Sequence, residues 1–68
     1  MKYAVIIERD EGSFTAYAPD LPGCVATGAT REEVLQRMAE AVGMYVARLR
    51  ADGIPVPEPG AELDYVSV

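Results

Sequence analysis

Four acidic residues near the start of the chain have the chemistry to hold a divalent cation. Glu8, Asp10 and Glu11 are close together in sequence, and Asp20 follows them. Carboxylates clustered at strand ends hold such cations in enzymes of phosphoryl chemistry. Their spacing matches no EF-hand or other known ligand pattern, and acids in turns are usually solvated. A metal-dependent hydrolase is therefore a minor hypothesis, and we expect no metal and no other cofactor.

Nucleophilic catalysis has little support, because the sequence has no histidine and a single cysteine, Cys24. Without histidine, a Ser/His/Asp or Cys/His arrangement lacks its usual base. No basic residue lies near Cys24 in sequence, so we interpret it as a small buried side chain rather than a reactive thiol. The same residue counts exclude a disulfide framework and a zinc finger. We expect a protein that is not an enzyme.

The charge and the length of the chain favour a protein partner. Six Lys and Arg residues against eleven Asp and Glu residues give a net charge of −5. This sign is wrong for binding nucleic acid, whereas it attracts a basic protein. The 68 residues form one domain. A domain this small buries only about 60% of the surface that its unfolded chain exposes. We therefore expect a homodimer or a higher homo-oligomer.

The sequence contains no segment that points to a membrane. Its longest apolar run, Ala4 to Ile7, is far shorter than the roughly 20 residues that span a bilayer. The N-terminus has no signal-peptide pattern. We expect a cytoplasmic protein.

The elements that position these residues begin with three short strands. Apolar and polar residues alternate in two neighbouring segments, and Asp10-Glu11-Gly12 between them is typical of a tight hairpin turn. Pro19 ends the second segment, and Pro22-Gly23 suits the centre of a type II turn. The predicted strands are Lys2–Glu8, Ser13–Ala18 and Cys24–Thr27, the last closed by Gly28.

A long amphipathic helix is the strongest structural prediction. Thr30 and Glu33 have the spacing of a capping box, and Gly53 marks the end. The pattern predicts a helix from Thr30 to about Asp52. The apolar residues that recur at helical spacing, and that we expect to face the core, are Leu35, Met38, Ala39, Val42, Val46 and Leu49.

The end of the chain is predicted to be extended. Pro55, Pro57 and Pro59 exclude further helix and stiffen the segment. Leu63–Val68 then has room for a fourth strand. The predicted order is β-β-β-α-β, a two-layer α+β domain with an antiparallel sheet and one helix.

In this order, four motifs resemble the HicB antitoxins of bacterial and archaeal type II toxin-antitoxin systems. The first is an N-terminal strand with an acidic-Gly hairpin, and the second is a Pro-Asp-Leu-Pro-Gly-Cys run. A Thr-Gly pair before a capped helix and a Gly-Ile-Pro-Val-Pro segment complete the set. The motif residues to which we assign structural roles are Pro19, Pro22, Gly23, Cys24, Gly28, Thr30 and Glu33.

The resemblance implies a partial ribonuclease H fold and an antitoxin function. Such a protein binds and neutralises a HicA-type toxin, a small basic ribonuclease of mRNA, by covering its active site. For contact with the toxin we expect exposed loops on the rigid sheet. The candidate partner-binding residues are Asp10, Glu11, Asp20, Leu21 and Pro22.

One feature departs from many HicB antitoxins, which carry a C-terminal DNA-binding segment. Residues 54–68 have no Lys or Arg and contain three prolines. We therefore expect no direct nucleic-acid binding by this chain alone. A solitary oligomeric HicB-like domain without a toxin partner remains the alternative.

Overall fold

The computed structural model describes residues 1–68 as an antiparallel sheet followed by a long helix. The four elements are β1 (Ile6–Asp10), β2 (Ser13–Tyr17), β3 (Val25–Gly28) and α1 (Arg31–Ala51). The sheet order is β1-β2-β3, so β2 is central and the other two strands are edges. The helix packs on one face of the sheet, over β3 and β2. The predicted two-layer α+β architecture is confirmed.

The β1–β2 hairpin forms as predicted, although β1 begins later than expected. Asp10 pairs with Ser13 at the turn, and Ile6 pairs with Tyr17 at the other end. Gly12 has a φ of +69°, the left-handed conformation that a tight turn favours. Residues before Ile6 have no strand opposite them, because the chain turns away after Tyr17 where Pro19 ends the ladder.

Both ends of α1 carry the predicted signals. Thr30 is the N-cap, and its Oγ1 accepts a hydrogen bond of 3.1 Å from the Glu33 N–H. The Glu33 carboxylate reaches back to the N–H of Ala29 at 2.8 Å, one residue before the N-cap. At the other end Gly53, with φ +68°, closes a Schellman motif in which the Ile54 N–H donates to the Leu49 carbonyl.

The buried face of α1 matches the predicted one in part, since Val42, Val46 and Leu49 are half-buried. Met38 is buried as expected, but Val34 is fully buried where the pattern predicted Leu35, which is 37% exposed. The reason is the tight approach of Gly28 to the start of α1, where an added Cβ would lie 2.8 Å from the Val34 nitrogen. Ala39 is also exposed. The buried core consists of Ala16, Ala18, Leu21, Cys24, Val34 and Met38.

The predicted fourth strand is wrong, because Leu63–Val68 forms no regular structure. Leu63, Asp64 and Tyr65 pass beside Ile6 and Ile7 of β1, but no backbone group of residues 62–68 bonds to another backbone group. Alternation of apolar residues produces a strand only when a neighbouring strand supplies ladder bonds and a face to cover. The order of elements is therefore β-β-β-α.

Candidate partner-binding site

The first predicted contact region is the hairpin turn between β1 and β2. Asp10 and Glu11 are both exposed, and the Glu11 N–H donates to Asp10 Oδ1 at 2.8 Å. Neither carboxylate takes part in an ion pair. The turn thus presents two exposed acidic side chains that make no ion pair and no hydrogen bond to the rest of the fold.

The second predicted contact region is the corner, which we define as residues 18–24 between β2 and β3. Its backbone is bonded across itself, with Leu21 N–H donating to the Ala18 carbonyl and Cys24 N–H to the Leu21 carbonyl, each at 3.0 Å. Gly23 has a φ of +81°, which suits the predicted type II turn. Leu21 is fully buried. The corner is therefore held in shape by its own backbone bonds and forms part of the core, and its outer residues are exposed.

The corner is also tied to the helix. Tyr45 on α1 donates its hydroxyl to the Pro22 carbonyl at 2.9 Å. Pro22 and Gly23 themselves are exposed. This bond fixes the corner against the second half of α1.

Asp20 holds the C-terminal part of the chain in place. Its Oδ2 accepts hydrogen bonds from the N–H groups of Gly60 and Ala61, both at 3.1 Å. The hydroxyl of Tyr3 donates to the carbonyl of Pro57. We call these contacts the clamp. The sequence offered a partial signal for them, since an aspartate before an exposed turn commonly accepts from backbone amides, but not the identity of the donors.

Beyond the clamp, the C-terminal segment, Glu62–Val68, is exposed throughout. Tyr65 is 91% and Val66 88% exposed, and Leu63 and Val68 are also exposed. Residues 54–68 carry three acids and no basic residue. The protein therefore presents large apolar and acidic side chains together on one stretch, which our sequence-based choice of contact residues did not include.

The structure does not bring the five predicted contact residues together. Asp10 is the last residue of β1 and Glu11 follows it, whereas Asp20, Leu21 and Pro22 lie at the opposite end of the hairpin, beyond Tyr17. A five-residue strand is about 17 Å long at roughly 3.3 Å per residue. One small contact patch therefore does not include both regions.

The residues considered for catalysis are likewise separated or buried. Among all 68 residues, no three His, Cys, Asp or Glu side chains are grouped so as to hold a metal ion. Cys24 is free and buried, and desolvation raises the pKa of its thiol. A protonated, buried thiol is a poor nucleophile.

Two apolar grooves flank the helix. One, with a volume of about 500 Å³, runs between α1 and the edge strand β3 and is bordered by Val25, Met44 and Leu49. The other, about 260 Å³, lies between α1 and the N-terminal residues, beside Tyr3 and Leu35. Met44 is 73% exposed, and no atom lies within 4 Å of a Cβ built on Gly43. The surface at Gly43 and Met44 is therefore open to solvent.

A family model settles the family to which the fold and these motifs belong. The model of the HicB-like antitoxin of bacterial toxin-antitoxin systems matches residues 3–67. The chain belongs to the HicB-like antitoxin family. Membership of this family implies a toxin partner.

The chain is also similar to several proteins of bacteria, archaea and a phage. The chain is 40% identical over 63 residues to a UPF0150 protein of Thermoplasma acidophilum, covering 91% of each chain. It is 39% identical over 57 residues to a UPF0150 protein of Synechocystis, covering 82% of this chain and 72% of that one. An uncharacterized phage HP1 protein is 25% identical over 67 residues, covering 98% of this HicB-like chain but half of the phage protein. No solved structure gives a significant match.

The membrane prediction can be compared with the helix itself. In the HicB-like chain, α1 lacks the length of apolar sequence needed to cross a bilayer, and it is the single helix.

Proposed function

We propose that this HicB-like protein binds a small basic ribonuclease of the HicA type and neutralises it by covering its active site. The observation that carries the proposal is the family match over residues 3–67. The charge supports the proposal, because a net charge of −5 speeds the encounter with a basic partner and attracts the basic surface of that partner. The expected mode of inhibition is steric and electrostatic, with no chemical step on the antitoxin.

Two regions are proposed for contact with the ribonuclease. The hairpin turn offers Asp10 and Glu11 without any competing ion pair. The corner offers Pro22 at its surface and the partly buried Asp20, while the buried Leu21 supports both from beneath. Exposed loops on a rigid scaffold are common binding positions, because little order has to be gained on binding.

Self-association is also part of the proposal. The core consists of six buried residues, which is little for a domain of 68. The unpartnered grooves beside α1 and the exposed Met44 leave apolar surface for a second copy. Burial of that surface stabilises a small domain whose own core contributes little. Sedimentation velocity at micromolar concentration measures the oligomeric state. A monomer at that concentration overturns the proposed self-association but not the antitoxin function.

Capture from the native lysate tests the antitoxin function. The tagged protein is incubated with lysate of its source cells, and retained proteins are identified by mass spectrometry. We expect a small basic protein that degrades RNA when free and loses this activity at one equivalent of the HicB-like chain. Because the proposed compartment is the cytoplasm, the lysate is prepared from the soluble fraction.

The control for capture is an unrelated acidic domain with the same tag and a similar net charge. If both baits retain the same basic proteins, the binding is a general effect of charge. If the HicB-like chain retains no ribonuclease, or one whose activity it leaves unchanged, the proposed function is wrong.

A further inference from the structure

We propose that the C-terminal segment, Glu62–Val68, is the main docking surface for the basic ribonuclease. This inference rests on the proposed function and names a surface for it. Four large apolar side chains are exposed within seven residues, namely Leu63, Tyr65, Val66 and Val68. Exposed apolar side chains grouped in this way mark interaction sites, whereas those scattered singly are ordinary. Tyrosine is among the residues that most often dominate binding energy at interfaces.

The clamp fixes where this segment leaves the fold. Asp20 holds Gly60 and Ala61, and Tyr3 holds Pro57. Pro55, Pro57 and Pro59 stiffen the chain that leads to these contacts. Holding residues 57, 60 and 61 fixes the point at which the segment leaves the fold, so the segment searches less space before it meets a partner. The clamp therefore prepares the C-terminal segment for a partner.

The backbone of the segment is available for pairing. None of its N–H or carbonyl groups bonds to another backbone group, and only the Tyr65 N–H is bonded, to Asp64 Oδ1 at 2.7 Å. A segment with unpaired backbone groups can add to a sheet edge of its partner, where the backbone supplies affinity and alternate side chains supply specificity. Leu63 and Tyr65 also border a cavity of about 330 Å³ beside Ile6 and Ile7, with room for a partner side chain.

The charge of the C-terminal segment indicates which kind of partner binds it. The segment carries Glu62 and Asp64, and no basic residue lies between positions 54 and 68. These acids repel a nucleic acid, and they attract a basic surface more strongly than the surface of another chain with a net charge of −5. A basic protein with apolar surface complements both properties of the segment. The HicA-type ribonuclease of the proposed function has this chemistry.

Paired substitutions in the full-length protein test the docking surface. The apolar test is Tyr65→Ser with Val66→Ser, and its control is Ile54→Ser, at an exposed apolar side chain just after α1. Binding to the ribonuclease captured by the wild-type chain is measured by calorimetry, after circular dichroism has shown that each variant is folded. We expect the dissociation constant of the double variant to rise by about 30-fold or more, with a change of less than about 3-fold for Ile54→Ser.

The charge test uses two variants that each remove two negative charges. Glu62→Gln with Asp64→Asn changes the segment, and Glu32→Gln with Glu40→Gln changes the exposed side of α1. All four acids are exposed, and none of them takes part in an ion pair. We expect the first variant to raise the dissociation constant by about 10-fold and to weaken its salt dependence, and the second to change it by less than about 3-fold.

Each other outcome overturns the docking surface in a distinguishable way. If the ribonuclease binds and all variants bind equally, the segment is not the docking surface while the antitoxin function stands. If the substitutions in the segment change the sedimentation of the protein alone, its occupant is a second copy. If the wild-type chain captures no ribonuclease, the proposed function and the docking surface fail together.

Discussion

The two ends of the β1–β2 hairpin are both acidic and both turn the chain, yet they differ in what their side chains contact. At the hairpin turn, Asp10 and Glu11 are exposed and the turn is closed by local bonds. At the corner, Asp20 joins two parts of the chain that are 40 residues apart. Leu21 fills the core beneath it. The charge of an acidic residue therefore says little about its role until its acceptor contacts are known.

The largest difference between the two ends is expected for side-chain truncation. Leu21→Ala removes a fully buried side chain, so it should lower the free energy of unfolding by about 2–5 kcal/mol. Glu11→Ala at the hairpin turn should change it by less than about 0.5 kcal/mol. Urea unfolding followed by circular dichroism measures both. Equal losses would show that the corner is no more a part of the core than the turn is.

Gly28→Ala tests whether other positions near the hairpin turn also tolerate substitution with little loss of stability. It pairs with Phe14, close to the hairpin turn, and a Cβ there would lie 2.8 Å from the Val34 nitrogen. Because backbone must move to admit a methyl group, Gly28→Ala should cost about 1–3 kcal/mol. If Gly28→Ala costs this much while Glu11→Ala costs little in the same urea titration, then only the β1–β2 turn tolerates substitution without loss of stability. A neutral substitution would contradict the close approach of β3 and α1.

Asp20→Ala and Asp10→Ala compare the two aspartates directly. Removing Asp20 leaves the Gly60 and Ala61 N–H groups without their acceptor, at a cost of about 1 kcal/mol. Removing Asp10 frees only the exposed N–H of Glu11. Hydrogen exchange by NMR should show faster exchange at Gly60 and Ala61 in Asp20→Ala alone. Unchanged exchange at these two amides would mean that the clamp does not depend on Asp20.

The smallest difference is expected between the two turn glycines. Gly12 and Gly23 have φ values of +69° and +81°, and no atom lies within 4 Å of a Cβ on either. Alanine at each should cost about 1–2 kcal/mol through backbone strain alone. Their free energies of unfolding should therefore differ by less than about 0.5 kcal/mol. A larger loss for Gly23→Ala would indicate that the corner transmits strain to the core.

Local signals in the sequence were sufficient for the turns between the first three strands and for the limits of the helix. Turn glycines, the Thr30 cap and the Gly53 stop each act through bonds to near neighbours, so their residue types predict their conformation. The rotation of the helix was not predictable in this way. It depends on the approach of Gly28 to Val34, and helical spacing alone does not distinguish Val34 from Leu35 as the centre of the buried face.

The C-terminal part of the chain shows where reasoning from pattern stops. Alternation in Leu63–Val68 predicted a strand, but a strand requires an edge that accepts its hydrogen bonds. For the candidate site, the acids of the hairpin turn and the corner were found from their turn chemistry. The clamp was missed because Asp20 and Gly60 are brought together by the whole fold, and no local rule relates them.

The clamp also has a consequence for the order of folding. The antiparallel strands and α1 are joined by short connections, and such local contacts form quickly. The bonds of Tyr3 to Pro57 and of Asp20 to Gly60 span 54 and 40 residues, so they close the longest loops in the molecule. We expect them to form last and to open first, while the core remains folded. The C-terminal segment can then be released and recaptured many times within the life of one folded molecule.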